Sequence, residues 1–489
     1  MEQTRGNATE QLIERIGVLA DQALFKRRAD MLNDAMKLAE VVDIRNLSQH
    51  QLAVYHYHLS NVWGNCFKLM PEDQRQKHSW ELPEIEKQLI HNRLAVRALE
   101  TATGALPVSA ASAIYTNLAN TLFEIGRFVE AIEYWDKSLE LQPDFGMALA
   151  NKGLGLMQYA HLQSDKNLSM ILLIEARRML RKALNQKIPL SARPLFKSHF
   201  NMLNSILRPR FRKSFLTSAV APGKTHDMEA AFESWQMNNR LFLNPLNDLG
   251  NYLEAASDEA IRLSSTPDCT ESGAGSLLQN YFHLLQREYA CAKRLCFEAL
   301  DPMSHTTSGR EPDIEESAAF DDAGIEKLKI AFRTAYSLFD KIAFLVKIRF
   351  RLQIASYRVN FRTVWYREGK KSYGVEPTLL ETDNWPLRGM YWMSKDLYGR
   401  RPDIRKGLST DARCIDILRN HLEHQCVLVQ TDAAREDETD FGNDGKRDIA
   451  GTYVIGKSAL TGRTLRVLKM TRSALIGLSL ADQWEKQRS

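Results

Sequence analysis

The sequence predicts an all-α protein, and two of its properties support this expectation. Glycine (25 residues) and proline (15) fall below their usual shares of roughly 7% and 5% in a chain of 489 residues. Few helix breakers in a long chain favour long helices. Apolar residues also recur at intervals of three and four, which is the spacing of a buried helix face. The length exceeds what one core normally serves, so we expect more than one domain.

The composition is that of a folded protein with a mild positive charge. Hydrophobic residues make up 44% of the chain and charged residues 26%, and the net charge is +5. This charge permits nucleic-acid binding without requiring it. The first residues are charged where a secretory signal is apolar, and no run reaches the 18 or so apolar residues of a membrane span. The six scattered cysteines suit a reducing compartment. We therefore expect a soluble, cytoplasmic protein.

A helical hairpin is predicted at 113–144 (AIYTNLANTLFEIGRFVEAIEYWDKSLELQPD). Gly126 separates its two helices and Pro143 closes the unit. The positions that would pack are Tyr115, Leu118, Ala119 and Leu122 in the first helix and Ala131, Trp135 and Ser138 in the second. A second unit follows in register, since Leu149, Gly153 and Leu156 lie 34 residues after Tyr115, Ala119 and Leu122. The pattern resembles a tetratricopeptide repeat, which needs neighbouring repeats to bury its faces.

Three regions are expected along the chain. Residues 1–207 form a helical repeat region, 208–310 a helical connecting region and 311–489 a helical bundle. The polar stretch 301–324 marks the main boundary. Within the bundle, the apolar periodicity predicts helices over 325–352, around 384–399, over 411–430 and over 459–487.

A basic loop, 208–227, contains Gly223-Lys224-Thr225, the ending of a phosphate-binding loop. Ser218 stands where the first glycine of that motif is required, and no strand is predicted before it. We therefore expect no nucleotide site there.

The segment with chemical potential is Arg419–His424 (RNHLEH). On a helical wheel the core face is formed by Ile415, Leu418, Leu422 and Cys426. Asn420 and His424 point away from that face, and Arg419 lies at its flank. A second copy of this helix, packed across a two-fold axis, would bring two arginines and two histidines into one cleft.

The spacing of Arg419 and His424, in a helix that follows a long amphipathic helix, resembles the RX4H motif of the HEPN superfamily. Asn420 suits the second position of that motif. The chain is similar to bacterial members with N-terminal helical repeats. The resemblance implies metal-independent RNA cleavage at a homodimer interface, with Arg419, Asn420 and His424 as catalytic residues and no cofactor. It also implies a role in defence against phage or as a toxin, regulated by the repeats.

The residue types suit this chemistry. Cleavage within an RNA strand needs a base for the 2′-hydroxyl proton and an acid for the leaving oxygen, and histidine can act as either near neutral pH. Arginine can bind the charged phosphate with two parallel donors.

A basic stretch of the bundle is the predicted RNA path. Its five cationic residues are Arg358, Arg362, Arg367, Lys370 and Lys371. Trp365, Tyr366 and Tyr373 lie among or beside them and could stack on unpaired bases. A solvated helix end with a basic face is an equally good interpretation of the same pattern.

Other interpretations remain open. His421, Glu423 and His424 could hold a metal ion, but no third ligand position is evident. His421 and the pair His56 and His58 are better explained as packing residues. The alternative for the whole chain is a non-catalytic adaptor, whose repeats bind a peptide or protein while an inactive bundle dimerises.

Overall fold

A computed structural model describes residues 2–77, 80–102, 106–207, 227–264, 274–300, 323–398, 410–430 and 452–488. Over these ranges the protein is almost entirely helical, as the sequence predicts. The basic loop with Gly223-Lys224-Thr225, most of the polar stretch 301–324 and the acidic loop after Gln430 lie outside the described residues. Within the described part of the chain, no helix combines the length and apolarity needed to cross a membrane.

The N-terminal part is a series of helices that pack mainly on their neighbours in sequence. The helices are α1 (Glu2–Lys26), α2 (Asp30–Val41), α3 (Gln49–Leu69), α4 (Glu72–Lys77), α5 (Pro83–Thr101), α6 (Val108–Glu124), α7 (Phe128–Leu141), α8 (Gly146–His161), α9 (Lys166–Leu184), α10 (Arg193–Ile206) and α11 (Met228–Asn238).

The predicted repeat unit is the hairpin of α6 and α7. Leu118, Ala119 and Leu122 of α6 and Ala131 and Trp135 of α7 are all buried. In the next hairpin, formed by α8 and α9, Leu149 and Leu156 are buried as expected. There Gly153 lets the helices approach closely, because a side chain at this position would press on Leu180.

The C-terminal part is a bundle around one long helix. Its elements are α12 (Ala274–Leu300), α13 (Ala323–Arg349), α14 (Pro377–Leu380), α15 (Trp385–Tyr398), α16 (Thr410–His424), β1 (Val427–Gln430), β2 (Tyr453–Gly456) and α17 (Lys457–Arg488). Helix α17 contacts α12, α13, α15 and α16. It carries apolar residues on several faces because it is covered on several sides.

The prediction of one helix over 411–430 is wrong in its last part. The helix ends at His424, and Val427–Gln430 form a strand that pairs in parallel with Tyr453–Gly456. β2 runs directly into α17. The strand pair thus ties the end of α16 to the start of the central helix.

The repeat hairpin and the bundle share one hydrophobic core. Gly126, in the turn between α6 and α7, has a φ of +91°, and a side chain there would collide with the backbone of Trp385 in α15. The Trp385 ring lies 4.6 Å from that of Phe123 and 4.8 Å from that of Phe128. Helix α15 therefore packs directly on the repeat hairpin.

The division at 207 and 310 stays a prediction. Helix α12 precedes the expected second boundary and α13 follows it, yet the two pack along each other as a pair. Lys327 and Glu298 form an ion pair at one end of this pair, 3.0 Å apart.

Candidate functional site

Helix α16 is held in the bundle by its apolar side. Ile415 and Leu418 are fully buried and Leu422 is 4% exposed. Asn420 and His424 are exposed, and Arg419 is half-buried. Cys426, which the helical wheel placed on the core face, is exposed because the helix has already ended before it.

The C-terminal end of α16 is fixed by two contacts. A guanidinium nitrogen of Arg333 in α13 donates to the carbonyl of Leu422, which would otherwise lack a helical partner. His421 stacks on Tyr453 of β2, with ring centroids 4.3 Å apart and planes at 20°. Since His421 is also only 7% exposed, the geometry is that of a packing residue. His424, three residues later, emerges from an anchored helix end.

Arg419 lies against α13. Its guanidinium carbon is 5.6 Å from the ring centroid of Tyr336, and Nη1 donates to Asn420 Oδ1 over 3.0 Å. The Tyr336 hydroxyl in turn donates to Asp416 Oδ1 over 3.1 Å and lies 3.1 Å from the hydroxyl of Tyr398. The arginine therefore rests on an aromatic ring that is itself held at its hydroxyl.

The surroundings of Arg419 are electrostatically perturbed. Burial raises the pKa of Asp340, against the opposing effects of the Phe361 backbone N–H and of Arg419. Burial also raises the pKa of Tyr336 and Tyr398, and for both the Arg419 charge acts in the opposite direction. Arg419 is thus the cation that faces one carboxyl and two phenols at this point of the bundle.

The five cations of the predicted RNA path all fall in the segment between α13 and α14. Arg362, Arg367 and Lys371 are exposed, whereas Arg358 and Lys370 are half-buried. The Phe361 N–H donates to Asp340 Oδ1 over 2.9 Å, which fixes this segment beside the helix that carries Tyr336. The Arg419 charge also acts to lower the pKa of Asp340, so the basic segment passes near the candidate site.

Two aromatic residues of the predicted path are not available for stacking. Trp365 is fully buried, with its Nε1 donating to the carbonyl of Phe361 over 2.6 Å, and Tyr366 is 4% exposed. Their rings are needed in the core, where Trp365 meets Phe361 edge-on. Only Tyr373 among the predicted aromatics is exposed, at 51%.

The sequence interpretation missed Tyr357, which is 82% exposed. The guanidinium carbon of Arg358 lies 5.3 Å from its ring centroid, and Lys370 Nζ lies 4.7 Å from that of Tyr373. The sequence signal was present, since Tyr357 precedes the first arginine of the predicted path.

The metal interpretation finds no set of ligands in the part of the chain that the structure describes, where no three His, Cys, Asp or Glu side chains cluster suitably. His421 is stacked in the core while His424 is exposed. In the repeat region, Nδ1 of His56 faces Nδ1 of His91 at 3.0 Å, so this imidazole is satisfied within the fold.

Comparison with known proteins agrees with this architecture. Residues 269–485 match the family model described as LA2681-like HEPN, and residues 112–145 match the tetratricopeptide repeat model. No curated protein and no solved structure gives a significant match. The chain therefore carries a HEPN domain behind a tetratricopeptide repeat. The resemblance to HEPN proteins with N-terminal helical repeats is confirmed.

Proposed function

We propose that the protein is a metal-independent endoribonuclease of the HEPN type, whose site is assembled from helix α16 of two chains. The observation that carries the proposal is the difference between the two sides of α16. Its apolar side is locked in the bundle, while Asn420 and His424 are presented to solvent and Arg419 is held beside them on Tyr336.

Helical geometry favours a site built from two copies. Arg419 and His424 are five residues apart, so they point about 140° away from each other and are about 7.5 Å apart along the axis. One phosphate is therefore met more readily by the arginine of one helix and the histidine of another. A two-fold pairing of α16 supplies both.

An exposed apolar patch on α12 and α13 is consistent with pairing of two chains. Phe344 and Ile348 of α13 are 39% and 42% exposed, and Leu277 and Leu284 of α12 are 52% and 50% exposed. Tyr281 lies in the same patch, 6.5 Å from the Phe344 ring. Exposed apolar patches of this kind are typical of protein interfaces.

The proposed chemistry uses each group for one task. His424 carries one proton, which it takes from the RNA 2′-hydroxyl and gives to the leaving 5′-oxygen. Arg419 neutralises the negative charge that builds on the phosphate oxygens. Asn420 orients the imidazole or a phosphate oxygen. The products are a 2′,3′-cyclic phosphate and a 5′-hydroxyl.

The substrate is held by the basic segment. Arg362, Arg367 and Lys371 are placed to bind phosphates, with Arg358 and Lys370 behind them. Tyr357 and Tyr373 offer exposed rings to unpaired bases. The segment therefore suits a single strand better than a duplex, in which the bases are covered.

The test is cleavage of an end-labelled, mixed-sequence RNA in EDTA by the full-length protein and its variants. Arg419→Ala and His424→Ala should each reduce cleavage by at least two orders of magnitude with unchanged folding. Glu423→Gln, an exposed neighbour on the same helix turn, is the control and should remain active. Activity that persists in His424→Ala contradicts the site, and activity lost only in EDTA points to a metal.

The biological setting follows from the family resemblance. We expect a role in phage defence or as a toxin, with a protein or peptide partner bound by the repeats. Expression of the wild-type protein should then slow growth, and expression of His424→Ala should not. A stable complex with a partner, together with no cleavage of any RNA, would favour the adaptor alternative.

A further inference from the structure

A buried ion-pair cluster joins the repeat region to the bundle. Nη1 and Nη2 of Arg93 in α5 donate to the two carboxylate oxygens of Asp396 in α15, over 2.6 Å and 2.7 Å. Arg127, at the start of α7, binds the same carboxylate and also Glu130. Asp396 is 2% exposed and Arg127 is 4% exposed. We name this cluster the Asp396 clamp.

In the Asp396 clamp, the two arginines stabilise the ionised form of the carboxylate. Burial acts to raise the pKa of Asp396, but Arg93 and Arg127 outweigh it and hold that pKa well below its usual range. Breaking a buried ion pair is strongly destabilising because a buried charge is left uncompensated. The position of α15 relative to the repeat hairpin is therefore firmly set.

Further contacts fix the start of α15 on the same hairpin. Trp385 Nε1 and Arg388 Nη2 both donate to the carbonyl of Glu124, over 2.9 Å and 2.7 Å, at the end of α6. Gly389 packs directly against the backbone of Gly126. The repeat hairpin thus holds α15 both at its first turns and, through Asp396, at its last turn.

The other side of that last turn faces the candidate site. Tyr398 follows Asp396 by two residues, so the two side chains point to roughly opposite faces of α15. The Tyr398 hydroxyl lies 3.1 Å from that of Tyr336, whose ring lies under Arg419. A continuous set of contacts therefore leads from Arg93 and Arg127 through α15 to the arginine of the site.

We propose that helix α5 and the repeat hairpin together position Arg419 through the Asp396 clamp and helix α15, with Tyr398 and Tyr336 as positioning residues. This proposal rests on the proposed function, because it concerns the activity of the same site. It implies that the bundle needs its own repeats for full activity. A partner that draws the hairpin away from α15 would reduce cleavage without touching RNA.

Contact alone does not prove coupling, so the test measures coupling directly. Hydrogen–deuterium exchange of the full-length protein reports on peptides that cover 410–424. Arg93→Gln weakens the clamp but leaves Arg127 on Asp396, and Tyr398→Phe removes the hydroxyl beside Tyr336. Both should speed exchange in α16 severalfold. Lys469→Gln is the control, since it removes another repeat–bundle ion pair, 3.2 Å to Glu133, that does not involve α15.

Cleavage kinetics give the second readout. Arg93→Gln and Tyr398→Phe should lower kcat on the order of tenfold with KM little changed, because the arginine is displaced and the RNA path is intact. Lys469→Gln should match the wild type. Unchanged α16 exchange in both test variants, with thermal melting showing them folded, overturns this proposal even if Arg419→Ala is inactive. Faster exchange in a protein that cleaves no RNA leaves the coupling in place and overturns the proposed function.

Discussion

The guanidinium of Arg419 lies over the ring of Tyr336, with 5.6 Å between its central carbon and the ring centroid. This contact fixes the arginine beside exposed Asn420, to which it also donates a hydrogen bond. A planar fork held in this way presents its remaining donors in a defined direction. A flexible ammonium would not.

Arg419→Lys is therefore expected to be severely impaired although it keeps the charge. We expect kcat/KM to fall at least a hundredfold because the bidentate phosphate contact is lost. Stability should change by only about 1 kcal/mol, since one half-buried cation–π contact is replaced by a weaker one. Chemical denaturation measures the change in stability, and RNA cleavage by the same preparation measures the change in kcat/KM. Near wild-type cleavage by the lysine variant would show that a positive charge alone suffices.

Variants of the RNA path should distinguish the residues that contact phosphates from those that stack on bases. Arg362→Ala or Lys371→Ala should reduce the slope of log binding constant against log salt by about 1 each. Tyr357→Ala should weaken binding by about 1–3 kcal/mol with the slope unchanged, whereas Tyr357→Phe keeps the stacking ring. Fluorescence anisotropy with a single-stranded RNA, in the His424→Ala background, provides the measurement. Lys197→Ala, an exposed cation on α10, is the control. Equal salt slopes in all variants would place the path elsewhere.

Two glycines in helices offer a test of whether α15 packs directly on the repeat hairpin. Glycine to alanine in a helix normally stabilises by about 1 kcal/mol. At Gly389 the new methyl would collide with the backbone of Gly126, so Gly389→Ala should instead destabilise by about 1–3 kcal/mol. At Gly462 in α17 nothing lies within 4 Å of that methyl, so Gly462→Ala should show the normal gain. Denaturant unfolding of the pair gives the comparison. A stabilised Gly389→Ala would mean that α15 does not sit on the hairpin as described.

Three histidines of the repeat region, His56 buried and His58 and His91 half-buried, should make stability depend on pH. Burial lowers the pKa of His56 to about 3 and those of His58 and His91 to about 4. The unfolded chain, with histidine pKa values near 6.5, binds protons below about pH 6.5 that the folded chain does not. Stability should therefore fall as the pH falls from about 6.5 to about 4, by about 1.4 kcal/mol per pH unit for each histidine.

The pH effect can be assigned with one substitution. His91→Gln removes one of the titrating groups and keeps a polar partner for His56, so it should flatten the pH dependence by about one third. Lys197→Gln changes an exposed residue on α10 that is not a histidine and should leave the dependence as it is. Unfolding by urea at several pH values gives the slopes. Identical slopes in His91→Gln and the wild type would show that His91 is protonated in the folded state.

Periodicity predicted the parts of the fold in which one pattern continues for many residues. The repeat hairpin, α13 and the apolar side of α16 follow directly from residues three and four apart. The end of α16 did not, because Cys426–Gln430 is short and apolar and fits a helix or a strand equally well. Its β-branched residues, together with Tyr453 and Val454 beyond the acidic loop, were the available signal for paired strands.

The residues of the candidate site could be predicted from the sequence, but the contacts that hold them in position could not. The exposure of Asn420 and His424 follows from the helical wheel. The contact of Arg93 with Asp396 joins residues 303 apart, and no local pattern links such pairs. Burial of Trp365 was equally hidden, since a tryptophan among arginines suits a core or a stacking surface. These features depend on how separate helices pack, which a single sequence does not state.

The most direct test of a site shared by two chains is a mixed dimer. Arg419→Ala and His424→Ala chains, each inactive alone, are co-expressed with different tags and the dimer carrying both tags is purified. If the arginine of one chain works with the histidine of the other, this mixed dimer keeps one complete pair and cleaves RNA at a substantial fraction of the wild-type rate. A mixed dimer as inactive as either parent would show that the two residues act within one chain or not at all.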